Sequence, residues 1–104
     1  MIRIALLALC VGLGCASLDG YRHFEAGNAA LDRGDAATAV AELEQAAALA
    51  PERSEVHNHL GLAYAAAGRP DEARSAYERA VALDCDNRAA AENLRALLAA
   101  SPAR

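Results

Sequence analysis

The chain has 104 residues, enough for one small domain. Ten basic side chains, all arginine, stand against fourteen acids, for a net charge of −4, and no basic run or stripe exists to bind nucleic acid or an anionic lipid surface. Alanine, leucine, glutamate and arginine dominate and favour helix. With no tryptophan and few aromatics (Tyr21, Phe24, Tyr64, Tyr77), the core has to be assembled from small side chains.

The start, MIRIALLALCVGLGC, has one basic residue, Arg3, and then an apolar stretch from Ile4 to Leu18. That stretch is about 15 residues long, whereas a helix that crosses a bilayer needs about 20. A basic start, an apolar middle and small residues at the end form the pattern of a secretory signal. Gly14-Cys15, preceded by Val11 and Leu13, resembles the lipobox of bacterial lipoprotein signal peptides. The resemblance implies that residues 1–14 are removed, that the Cys15 thiol is diacylated, and that residues 15–19 form a short tether. It also implies a place in the cell envelope, anchored to the membrane and facing the periplasm, on the outer membrane in a Gram-negative cell. Several acyl chains, each contributing about 0.8 kcal/mol per buried CH₂, hold a protein on a membrane stably. A chain beginning at Cys15 carries a charge of −5. Two alternatives stay open: ordinary cleavage after Ala16, and an uncleaved N-terminal anchor.

After residue 19 the chain repeats itself. A shift of 34 residues lays 20–53 over 54–87, and nine positions coincide, among them His23/His57, Gly27/Gly61, Gly34/Gly68, Glu44/Glu78 and Leu49/Leu83. Each unit reads as helix, tight turn, helix. In the first, Gly34 closes one helix, Asp35 caps the next, and that second helix ends before Pro51. In the second, Ser54 is the expected N-cap, with Val56, Leu60, Ala63, Tyr64 and Ala67 at helical spacing. Gly68 closes this helix in the left-handed conformation, and Pro70 opens the next, which buries Ala73, Tyr77, Ala80, Val81 and Leu83. A fifth helix begins after Asp86 or Asn87 and stops at Ser101-Pro102. Leu94, Leu97 and Leu98 form its expected buried stripe, with Arg88, Glu92 and Arg95 solvated.

The stretch LGLAYAAAGRPDEARSAYERAVALDCDN (60–87) resembles the tetratricopeptide repeat. The matching residues are Leu60, Gly61 and Tyr64 in one helix and Ala73, Tyr77 and Ala80 in the next. The resemblance covers about residues 20–100 and implies an all-α helix-turn-helix solenoid: repeats at 20–53 and 54–87, a capping helix at 88–100 and a tail at 101–104. Small residues at the crossings (Gly27, Gly61, Ala39, Ala73, Ala46, Ala80) let neighbouring helices approach closely. The implied concave groove is lined by Tyr21, Phe24, Asn28 and Leu31, by Glu55, Asn58, His59 and Leu62, and by Ala89 and Glu92 of the cap. Two exposed aromatics and two asparagines suit a bound peptide or protein, although Tyr21 and Phe24 equally suit simple packing at the end of the array. Family members that clamp acidic chaperone tails use basic groove residues. Here Asn28 matches one such site, while Phe24, His59, Ala89 and Asn93 occupy the others, so no cationic clamp is expected.

Catalytic chemistry finds little support. His57 and His59 are two apart and diverge on a helix, so a metal site is not expected. Cys85 stands at a repeat junction where proline is usual, which suits a half-buried structural thiol. Glu42/Glu44 and Asp71/Glu72 fall on helix surfaces or starts, and there is no glycine-rich phosphate loop. The expectation is a non-enzymatic interaction module without cofactor, lipid-anchored in the bacterial envelope and serving as an assembly factor. A self-assembling structural module, secreted or held by an uncleaved anchor, is the alternative. A dimer follows if the stripe on the last helix is wider than one neighbour can cover.

Overall fold

The computed structural model describes residues 18–101. The signal segment 1–14, Cys15 and residues 16–17 lie outside the described residues. Five helices follow one another: α1 over 18–32, α2 Ala36–Leu49, α3 Ser54–Ala66, α4 Pro70–Leu83 and α5 Arg88–Ala100. There is no strand among the described residues. Residues 18 and 19, expected in the tether, are already helical. None of the described helices is long and apolar enough to cross a membrane.

Local chemistry sets the helix ends. Gly34 and Gly68 have φ of 77° and 73°, a left-handed conformation that carries no steric cost only in glycine. Asp35 Oδ1 accepts from the Thr38 amide at 3.2 Å and caps α2. Pro70 opens α4, where its missing N–H would have had no helical partner. Asn87 caps α5 by accepting from the Ala90 amide. At α3 the structure corrects the expected cap: the Arg53 backbone occupies that position. The Ser54 hydroxyl instead donates to the Ala80 carbonyl at 2.8 Å and accepts from Asn87 Nδ2 at 2.7 Å. One side chain thereby joins the start of α3, the end of α4 and the start of α5.

Consecutive helices run antiparallel: Gly20 lies beside Leu49 and Gly27 beside Leu43, and across the second pair Gly61 lies beside Tyr77. The interior is made mostly of methyl groups. Ala30, Ala39, Ala46, Ala63, Ala73, Ala80 and Ala90 are wholly excluded from solvent, and Leu43 and Val56 are the largest side chains fully buried. Tyr64 is half-buried rather than buried, and Ala67 is exposed. The Tyr64 hydroxyl donates to Glu44 across the repeat boundary at 2.7 Å. Burial, followed by that bond, pushes its pKa up to about 12.

The last helix is covered less than its apolar stripe implies. Ala90 is its only buried residue. Leu94 and Leu97 are half-buried, and Leu98 is 46% exposed, because α3 and α4 cover one side of α5 and nothing among the described residues covers the other. Cys85 is also corrected: its thiol is free and exposed in the turn before α5.

Candidate functional site

The antiparallel pairing puts α1, α3 and α5 side by side on one face. Gly27 turns one side of α1 toward Leu43, so Asn28, Leu31 and Asp32 fall on the side that meets α3. His59 Nδ1–H donates to Asn28 Oδ1 at 2.5 Å, and the His59 ring packs against Phe24 with centroids 5.0 Å apart and planes tilted by 56°. One step further along the array, Asn93 Nδ2 donates to Asn58 Oδ1 at 3.0 Å. Two polar rungs thus tie α1 to α3 and α3 to α5 in register. No buried side-chain nitrogen or oxygen among the described residues lacks a partner.

Between α1 and α3 lies a cleft of about 510 Å³ lined by Asn28, Leu31, Asp32, His59 and Leu62. Its size falls within the range of ligand pockets. The structure therefore brings four of the expected groove residues together: Asn28, Leu31, His59 and Leu62. Asp32 joins them and was missed by the sequence reading. It sits four residues after Asn28, one helical turn on along the same face, and that spacing is the signal that would have found it.

The other expected groove residues lie elsewhere. Phe24 is 5% exposed, buried under His59 with the Arg53 guanidinium 5.7 Å from its ring centroid. It therefore belongs to the core and is not an exposed aromatic. Asn58 is also 5% exposed and is consumed by Asn93. Tyr21 is 52% exposed but does not line the cleft. Glu55 is exposed and held by Arg53 at 3.3 Å, while Ala89 and Glu92 lie exposed on α5. His57 turns away from His59 and bonds the Pro51 carbonyl at 2.8 Å, and His23 meets Glu42 at 2.7 Å.

Burial holds the His59 imidazole below its usual pKa, with Glu55 and Asp32 pulling it back up. The folded protein consequently binds this proton less readily than the unfolded chain does. The resulting stability is fully present above the ordinary imidazole value of about 6.5 and is lost as pH falls through 6.5 toward the lower folded value. The urea midpoint should therefore drop between pH 7.5 and 5.5, and His59→Gln should flatten that drop. An equal slope in the variant would assign the dependence to other groups.

Against known proteins, the sequence profile described as Tetratricopeptide repeat matches residues 24–85, more than half of the chain. The chain belongs to the tetratricopeptide repeat family. Its fold is similar to that of the first tetratricopeptide domain of human RPAP3, solved by NMR, with a TM-score of 0.75 and 24% identity. That likeness covers 79% of this chain and 65% of the other. No curated protein matches the sequence. Tetratricopeptide arrays serve in general as non-catalytic surfaces that hold other proteins. In this chain the Asn28–His59 rung and the cleft lie on the face formed by α1, α3 and α5.

Proposed function

We propose that this tetratricopeptide protein is a non-enzymatic binding module that holds a peptide segment of a partner protein in the cleft between α1 and α3. The observation that carries the reading is the cleft itself, with the aliphatic side chains of Leu31 and Leu62 beside Asn28, Asp32 and His59. Helices held in register by side-chain hydrogen bonds offer a preformed surface, which lowers the entropic cost of binding. We place the module in a bacterial cell envelope as an assembly factor, anchored through an acylated Cys15 and facing the periplasm. The support for that anchor is the Gly14-Cys15 sequence behind an apolar segment. With α1 already helical at residue 18, so short a connection would keep the cleft close to the membrane surface.

The test is capture of envelope proteins by the purified chain after crosslinking. Leu62→Arg places a long cation in the cleft and should reduce capture at least about tenfold, with the far-UV circular dichroism of the parent retained. Undiminished capture would move the binding face elsewhere. Mass measurement of the mature protein from its host, beside Cys15→Ser, decides the anchor, and an unacylated N-terminus rejects it. The half-covered stripe of Leu94, Leu97 and Leu98 supports a second reading, self-assembly through α5. A strictly monomeric mass in solution rejects that one.

A further inference from the structure

Only one of the side chains lining the cleft, Asp32, is charged, and the lining includes no cation. The ion pairs among the described residues join Arg22 to Asp19, Arg33 to Asp35, Arg53 to Glu55, Arg69 to Glu72 and Arg74 to Glu78, with His23 on Glu42. Asp32 has a place in none of them. Glu25, two turns earlier on the same face of α1, is likewise absent from these pairs. Arg33, the next residue in the chain, is taken up by Asp35, and Arg53 by Glu55 and the Phe24 ring.

The location of Asp32 is also unfavourable for the helix that carries it. It is the final residue of α1, where the helix dipole is negative and repels a carboxylate. None of α2, α3, α4 or α5 places an acid in its last turn. Asp32 is exposed and stands directly beside Leu31 in the cleft lining, its charge matched within the cleft only by the field it exerts on His59.

We infer that the cleft takes a basic, apolar peptide segment, with an aliphatic side chain seated between Leu31 and Leu62 and a lysine or arginine set on the Asp32 carboxylate. This rests on the reading of the cleft as the peptide site and adds the chemistry of its occupant. An aliphatic side chain would remove the exposed parts of Leu31 and Leu62 from water. A cation would give Asp32 the partner it lacks and offset the unfavourable field of the α1 terminus. An acidic segment would meet the Asp32 carboxylate with no lining cation to offset it, so the same cleft selects against it.

The experiment uses the purified full-length chain and three fluorescent 12-residue peptides with identical leucine and alanine positions. Their remaining positions are all lysine, all glutamate or all glutamine, and fluorescence anisotropy reads binding at low and high salt. The lysine peptide should bind at least about tenfold tighter than the glutamate peptide, with the gap closing as salt rises. Asp32→Asn should weaken the lysine peptide about fivefold and leave the glutamine peptide unchanged. Asp71→Asn, which removes an equal charge from the exposed start of α4, should leave both within about twofold. The inference is overturned if lysine and glutamate peptides bind alike, if the lysine peptide does not bind, or if Asp71→Asn weakens it as much as Asp32→Asn does. If uncharged and acidic peptides bind and Leu62→Arg abolishes them, the cleft stands and only its charge preference falls. If Leu62→Arg changes nothing, the cleft itself is wrong.

Discussion

Leu43→Ala is expected to lower the unfolding free energy by about 3–4 kcal/mol, the middle of the range for emptying a buried leucine site. Leu43 is completely buried, and its branched end lies against the bare backbone of Gly27 on the facing helix. A glycine has no side chain to move into the gap, and the buried neighbours Ala39 and Ala46 on α2 can contribute only methyl groups. The cavity would therefore stay largely open. A domain of this size has about 5–10 kcal/mol of stability in total, so the variant would retain roughly half. Urea unfolding followed by circular dichroism measures the change, and a loss under about 1 kcal/mol would show that the helices close the space by moving together.

Gly61→Ala tests the second crossing by the opposite change. In an unobstructed helix this substitution stabilises by about 1 kcal/mol, because alanine is the better helix former. Here a new Cβ would fall 2.5 Å from Tyr77 Cδ1, 3.0 Å from Cζ and closer still to Cε1. The ring has no way out, since Tyr77 is 3% exposed and enclosed between α3 and its own helix. Overpacking of this kind costs about 1–3 kcal/mol or more, so the net effect should be a loss of about 2 kcal/mol. The sign decides between the two effects. Combining Gly61→Ala with Tyr77→Leu should recover part of the loss, because a shorter side chain can yield where the ring cannot. A stabilised single variant would mean that α3 and α4 separate at little cost.

The helix ends were legible in the sequence because their causes are local. Gly34, Asp35, Gly68, Pro70 and Asn87 each act on backbone within a few residues, and each does what its type predicts. The 34-residue shift likewise showed which helices would be neighbours. It did not show how deeply a given residue sits between them. Phe24 and Asn58 occupy equivalent positions in the two repeats, and both were placed in the groove. The structure buries both, because parallel helices approach closely enough there for His59 to cover Phe24 and for Asn93 to reach Asn58. Ser54 misled for a related reason: a hydroxyl beside a helix start usually caps it, but here acceptor and donor groups from two distant segments converge on the same oxygen. Asp32 was passed over because the repeat pattern nominates positions by analogy, and its place one turn after Asn28 on the same face was not weighed.

The alanines that fill most of this interior have no rotamers to change. A core of long side chains absorbs a substitution by rearranging, whereas an alanine contact can respond only through a shift of the helices that make it. The spacing of α1 from α2 and of α3 from α4 is set at their crossings, by Gly27 against Leu43 and Gly61 against Tyr77. Single-carbon changes there would shift α1 or α3, and Leu31 or Leu62 with them, without touching any residue that lines the cleft. Selectivity in such an array can drift through its helix crossings while its lining stays the same.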